Sequence, residues 1–241
     1  MPINRPNLQL NLSPLNLEPH STRALLPSAY EHLKNNLDLL NSQMRKMPTC
    51  HFKEMLNAPD YYAVRQSGFF TMSQGFQLNN DSNDVFVHAR RELPQSQGKF
   101  AGDKFHISVL KDNVPQAFKV LSGLLFSEDS PVDKWKVTDM ERVDSQARVS
   151  LGAQFTLYIK PDQENSQYSV SFLHKTRQFI EFLEVMLSEN GMTSGRCPES
   201  DVQPENWQYL SYRNELRSGR EGGEIQSQAL REEPFYRLMT E

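Results

Sequence analysis

The sequence predicts an α+β fold: a compact single domain with a twisted, mainly antiparallel sheet and flanking helices. Two observations carry this. Residues 84–90, 104–110, 134–139 and 154–160 each alternate apolar and polar side chains at period two, the mark of half-buried strands. Other segments place apolar residues three and four apart, the mark of amphipathic helices, and the two kinds do not alternate regularly along the chain, as a parallel α/β sheet requires.

The elements follow in order. Residues 1–26 are rich in Asn, Pro, Leu and Ser, with Pro6 and Pro14 interrupting any long element, and read as a flexible N-terminal arm ahead of a domain spanning 27–241. Ser28 and Glu31 form a capping-box pattern, and Tyr30, Leu33, Leu37, Leu40, Met44 and Met47 extend one apolar stripe as far as Pro48, predicting a single first helix. A short second helix is expected over 49–57, before Pro59. Between the second and third alternating segments, residues 114–126 read as a helix with Pro115 in its first turn. Residues 168–189 form a long helical pattern ended by Gly191. Residues 206–215 read as a last strand, 217–223 as a glycine-rich loop and 224–231 as the last helix.

Composition narrows the function classes. The 241 residues carry 26 basic and 30 acidic side chains, a formal charge of −4, so nucleic acid and anionic membrane are not expected partners. Mean hydropathy is −0.64, and there is no apolar run long enough to span a bilayer. The first residues lack the continuous apolar stretch of a secretory signal, so any export should use another route. Cys50 and Cys197 allow one disulfide but fit a reducing compartment equally well.

Alternation also fixes which side chains share a face. Lys104, His106 and Ser108 point one way while Phe105, Ile107 and Val109 point into the core. Lys134, Lys136 and Thr138 oppose Trp135 and Val137; Thr156, Tyr158 and Lys160 oppose Phe155, Leu157 and Ile159; Tyr209, Ser211 and Arg213 share a side. A solvated outer face explains any one of these strands. Cations on nearly every outward face, in a chain of negative net charge, point instead to an anion held among them.

The familiar phosphate chemistries lack their parts. Leu56 and Gln203 stand where a cysteine-phosphatase loop starting at Cys50 or Cys197 needs arginine. The segment GKFAGDK has the wrong spacing for a nucleotide-binding P-loop. The histidines are scattered, without C-x-x-C or H-E-x-x-H, and beside Asp103 and His106 no second set of metal ligands is apparent. A phosphate-binding cluster without metal, cysteine nucleophile or P-loop points to chemistry elsewhere on the substrate.

The blocks DVFVHARRELPQSQGKFAGDKFHISV, LSGLLFSEDSPVDKWKVTDM, ARVSLGAQFTLYIKPDQENSQYS and ENWQYLSYRNELRSGREGG closely resemble the phosphothreonine lyase effectors of Gram-negative pathogens, the SpvC/OspF type. The resemblance covers essentially the whole chain. It implies β-elimination of phosphate from the phosphothreonine of a pThr-x-pTyr activation loop in host mitogen-activated protein kinases, leaving dehydrobutyrine. It implies no cofactor and no metal, a monomer, and delivery into the host cell by type III secretion. By the same resemblance Lys136 is the general base and His106 the general acid, with Lys104 neutralising charge and Tyr158 orienting the histidine or donating to the enolate-like oxygen. Arg148, Arg213 and Arg220 form the phosphate clamp, with Arg90 as a further candidate and Lys160 facing the second phosphate. Burial beside Trp135 is one expected route to a neutral Lys136. In the family the arm docks the kinase through a basic residue followed by apolar-x-apolar; here Arg5 precedes Leu8 and Leu10. The competing readings are a non-catalytic phosphoprotein-binding module and a metal-independent phosphatase.

Overall fold

The computed structural model describes residues 28–144 and 147–241, so the arm lies outside the described residues. One seven-stranded sheet dominates, in the order β1-β2-β3-β5-β6-β4-β7, with every pairing antiparallel. Its strands are β1 (Thr71–Ser73), β2 (Phe76–Asn79), β3 (Phe86–Arg91), β4 (Asp103–Ile107), β5 (Lys134–Thr138), β6 (Phe155–Tyr158) and β7 (Leu210–Asn214). The helices are α1 (Ala29–Asn35), α2 (Leu37–Met44), α3 (Tyr61–Arg65), α4 (Val114–Leu125), α5 (Arg148–Leu151), α6 (Val170–Glu189), α7 (Glu224–Arg231) and α8 (Pro234–Thr240).

Helices cover one face of the sheet. Phe118 of α4 lies 5.8 Å from the Trp135 ring and 6.4 Å from Phe155, while Phe235 of α8 lies 6.2 Å from Phe105. α6 packs against α2, α4 and α8. Phe105, Ile107, Trp135, Val137, Phe155, Leu157 and Ile159 are all fully buried there, as their alternation predicts. The opposite face carries the polar set.

Several elements differ from the sequence reading. The first helix is two: the capping box forms, with the Glu31 amide 3.2 Å from Ser28 Oγ, but Asn36 leaves helical geometry at φ −122° and its side chain donates to the His32 carbonyl. No helix forms over 49–57. The amides of Cys50, Lys53 and Met55 donate instead to the Gln178 side chain, the Asp129 carboxylate and the Gly123 carbonyl, so their bonds go to distant chain rather than to the preceding turn. The last strand is shorter than predicted because the amides of Gln208, Tyr209 and Leu210 converge on the Glu184 carboxylate of α6. Tyr209 leaves the polar row; its hydroxyl donates to the Met192 carbonyl. The β1–β2 hairpin and helices α3, α5 and α8 are additional to the prediction. Cys50 and Cys197 are free thiols.

Candidate active site

The register of the sheet turns separate polar faces into two rows. In an antiparallel ladder directly paired residues project from the same face. One row runs Asn79, His88, Lys136, Thr156, His106 and Ser211. The next runs Gln77, Arg90, Lys134, Tyr158, Lys104 and Arg213. Lys136 and His106 are therefore two strand spacings apart, about 10 Å between Cα atoms. Between them in the row stands Thr156, whose side chain is shorter than either.

The β6–β4–β7 part of this face is not a solvated sheet surface. Lys104, His106, Thr156, Ser211 and Arg213 are all buried. Loops built from residues outside the strands close over the β4–β7 end and supply the counter-charges that the like-charged rows need. Lys104 Nζ lies 2.9 Å from Glu215. His106 Nδ1 lies 2.5 Å from Asp201, a carboxylate that also accepts from the hydroxyls of Ser200 and Ser211.

The Asp201 contact fixes the histidine's chemistry. Asp201, with three donors around it, stays ionised; the charge on His106 and its hydrogen bond hold the carboxyl below its usual range against the cost of burial. Nδ1 must then carry the hydrogen that Asp201 accepts, which leaves Nε2 as the proton-exchanging atom. Burial lowers the His106 pKa, with Asp201 opposing. A phosphate dianion arriving nearby favours the imidazolium. Orientation of the ring, one of two tasks the sequence reading gave to Tyr158, belongs to Asp201. Tyr158 sits one row away, between Lys134 (Nζ 4.6 Å from its ring centre) and Lys104 (6.0 Å), with burial raising its phenol to about 12.

Lys136 is half-buried, and its Nζ lies 3.5 Å from the centre of the Phe86 ring. Trp135 points into the core, so the expected route to a neutral lysine is corrected: Phe86, not Trp135, lies against the amine. Burial is the main cause of a pKa lowered to about 8, with Lys104 and Lys134 adding repulsion and Asp84 and Glu215 opposing. A lowered lysine pKa means that the neutral amine gains population as pH rises through 8 rather than through the ordinary value near 10.4. Labelling by an amine-reactive reagent at limiting concentration should give half-maximal reaction of Lys136 near pH 8. A midpoint near that of the exposed lysines would contradict the assignment.

The three arginines gather at the β7 edge of the sheet. Arg213 is buried, donates to the Ser218 hydroxyl and carbonyl, and is pushed below its ordinary pKa by burial, with Asp201 opposing and Arg148 and Arg220 adding repulsion. Arg148, near the start of α5, places Nη2 3.2 Å from Ser200 Oγ and 3.9 Å from Asp201. Arg148 and Arg220 line a cleft of about 250 Å³. The guanidinium fork suits two phosphate oxygens at once. Arg90, on β3, is exposed. Lys160 follows β6 and donates to the Ser96 carbonyl at 3.1 Å. These two stand apart from the arginine cluster, across Tyr158.

Sequence reasoning missed Asp201, Glu215, Phe86 and Asp84, and gave Lys134 no role beyond sharing a face. Asp84 accepts from His88 at 2.9 Å beside Lys136. Asp103 faces away from the cluster, held by Tyr168, Tyr212 and Asn214, so its neighbour His106 gains no second ligand there. Among the described residues no group of His, Cys, Asp and Glu could hold a metal ion. Burial raises the Cys197 thiol to about 11, which disfavours the nucleophilic thiolate.

The OspF/SpvC family model matches residues 2–241. A curated protein of Salmonella typhimurium named MAPK phosphothreonine lyase is 78% identical over the full length of both chains. Phosphothreonine lyase OspF of Shigella flexneri is 58% identical, again over the full length of both. A solved structure of the Salmonella plasmid virulence C protein (SpvC) superposes with a TM-score of 0.87 at 81% identity, covering 89% of this chain and 100% of that one. The type III effector/phosphothreonine lyase OspF from Shigella flexneri superposes with a TM-score of 0.78 at 57% identity, covering 87% of this chain and 100% of that one.

Proposed function

This chain belongs to the OspF/SpvC family, and from that membership we propose that it removes phosphate from phosphothreonine in mitogen-activated protein kinases by β-elimination. The observation that carries the reading is the row that sets Lys136 and His106 on either side of Thr156, one amine easily made neutral and one imidazole with a fixed tautomer. A binding module needs neither.

The reaction balances without a cofactor. Neutral Lys136 takes the Cα proton of phosphothreonine. The electron pair forms the Cα=Cβ bond as the Cβ–O bond breaks. His106 Nε2 gives its proton to the departing oxygen, so inorganic phosphate leaves and dehydrobutyrine remains. Charge developing on the substrate carbonyl oxygen during proton removal is met by Lys104 or by the Tyr158 hydroxyl. Arg148, Arg213 and Arg220 hold the phosphothreonine phosphate, while Arg90, Lys134 and Lys160 receive the phosphotyrosine two residues on. Mass spectrometry tests this on a doubly phosphorylated activation-loop peptide. The product should be lighter by one water than the same peptide with free threonine and intact phosphotyrosine; a product equal to that peptide would mean hydrolysis.

The protein reaches host mitogen-activated protein kinases by type III secretion and acts there as a monomer. The arm, with Arg5, Leu8 and Leu10, docks on the kinase away from the phosphorylated loop. Removing residues 1–20 should therefore reduce turnover of intact phosphorylated kinase about tenfold or more while leaving short phosphopeptides nearly unaffected. An equal loss on both substrates would count against docking.

A further inference from the structure

The second polar row does not end at Gln77. Met72 of β1 pairs with Gln77, so one continuous row crosses all seven strands on the cationic face: Met72, Gln77, Arg90, Lys134, Tyr158, Lys104 and Arg213. Its far end is apolar and exposed. Met72 is 42% exposed, and the two residues before β1, Phe69 and Phe70, are 70% and 57% exposed.

These aromatics are held outward by a built turn rather than by loose chain. Gly68 adopts φ +65°, its carbonyl accepts from the Asn80 amide at 2.7 Å, and the Thr71 hydroxyl donates to the Ser67 carbonyl at 2.6 Å. A backbone pinned at both ends of the Phe-Phe pair presents two large apolar rings at little further cost in entropy on binding. Exposed apolar side chains grouped beside a polar site mark contact surfaces more often than single scattered ones do.

We propose that Phe69, Phe70 and Met72 form a docking shelf for apolar side chains of the substrate's activation loop on the carboxyl side of the phosphotyrosine. The inference rests on the lyase reading above and names a specificity surface for that same site. Continuity with the substrate face selects the occupant. A loop whose phosphothreonine lies between Lys136 and His106 and whose phosphotyrosine reaches Arg90 and Lys134 is already heading toward β1. Met72 is two strand spacings beyond Arg90, about 10 Å, which about three further extended residues cover. The shelf thus recognises substrate by apolar contact past the two phosphates and is separate from docking by the N-terminal arm.

The test uses the full-length chain and its Phe69→Ser/Phe70→Ser variant, with Met72→Ser as a second variant. All three sites are solvent-exposed and lie outside the catalytic cluster. Three substrates are compared: a doubly phosphorylated peptide ending at the phosphotyrosine, the same peptide extended by six native residues, and the intact phosphorylated kinase. The double variant should lose about tenfold in kcat/KM, through KM, on the extended peptide and the kinase, and match the unsubstituted protein on the short peptide. Met72→Ser should show the same pattern in smaller degree. Equal kcat/KM for both proteins on all three substrates would overturn the shelf, as would an equal loss on the short peptide. If the unsubstituted protein releases no phosphate even from the short peptide, the lyase reading itself falls.

Discussion

Replacing Lys136 with alanine should lower the single-turnover rate of phosphate release by about 10³-fold or more, the scale expected when a proton-transfer group is removed from its transition state. Alanine alone does not say why the rate falls, because it removes both a base and a cation. Lys136→Arg separates the two. Arginine keeps the charge and much of the length but does not lose its proton at any pH the protein survives. If Lys136 serves only as a counter-charge to phosphate, arginine restores much of the rate. If it must be neutral to accept the Cα proton, arginine is as inactive as alanine. The lowered pKa and the stacking of Nζ on Phe86 favour the second outcome. Substrate binding should survive in both variants, since the proposed phosphate clamp is Arg148, Arg213 and Arg220. A Lys136→Arg protein with a rate within tenfold of the unsubstituted one would remove the general base from the mechanism.

His106→Asn should cost about 10²- to 10⁴-fold in kcat, again the range for a lost general acid, with KM little changed. Asparagine is the informative substitution here. Its amide nitrogen can still donate toward Asp201, so the buried carboxylate is not left unpaired and the fold is kept. What it cannot do is carry a proton to the leaving oxygen. If the imidazole matters only as an anchor for Asp201, the asparagine variant stays active; retained turnover would therefore assign protonation of the phosphate to another group. Asp201→Asn should act more mildly, through the tautomer and charge of His106, and should shift the pH dependence of the rate. A purely structural Asp201 would leave that profile where it is.

The strands were legible because alternation survives burial of both faces: Phe105, Trp135 and Phe155 face the helices, and Lys104, Lys136 and Thr156 face away. Face membership of Lys136 and His106 therefore followed from chain pattern alone. Their separation did not, because register depends on pairings between strands far apart in sequence. The β1–β2 hairpin had a signal in Gln74-Gly75, both at positive φ, but glutamine is an uncommon first residue in such a turn. The irregular path of 49–57 and the shortened β7 had none, since the amides there are captured by acceptors far away in sequence, the side chains of Gln178, Asp129 and Glu184 and the carbonyl of Gly123. Asp201 was hidden for a related reason: it lies in aperiodic chain after α6, and only tertiary folding brings it against His106. Roles for individual residues came from the family resemblance; the structure adds the counter-charges and the tautomer.

The most direct test of this account is a crystal structure of the His106→Asn protein bound to a doubly phosphorylated activation-loop peptide. The account predicts Lys136 Nζ within about 3–3.5 Å of the phosphothreonine Cα, its phosphate held by Arg148, Arg213 and Arg220, and the asparagine side chain beside the bridging oxygen. A phosphothreonine phosphate seated on Arg90 and Lys160 instead, with its Cα out of reach of Lys136, would contradict it.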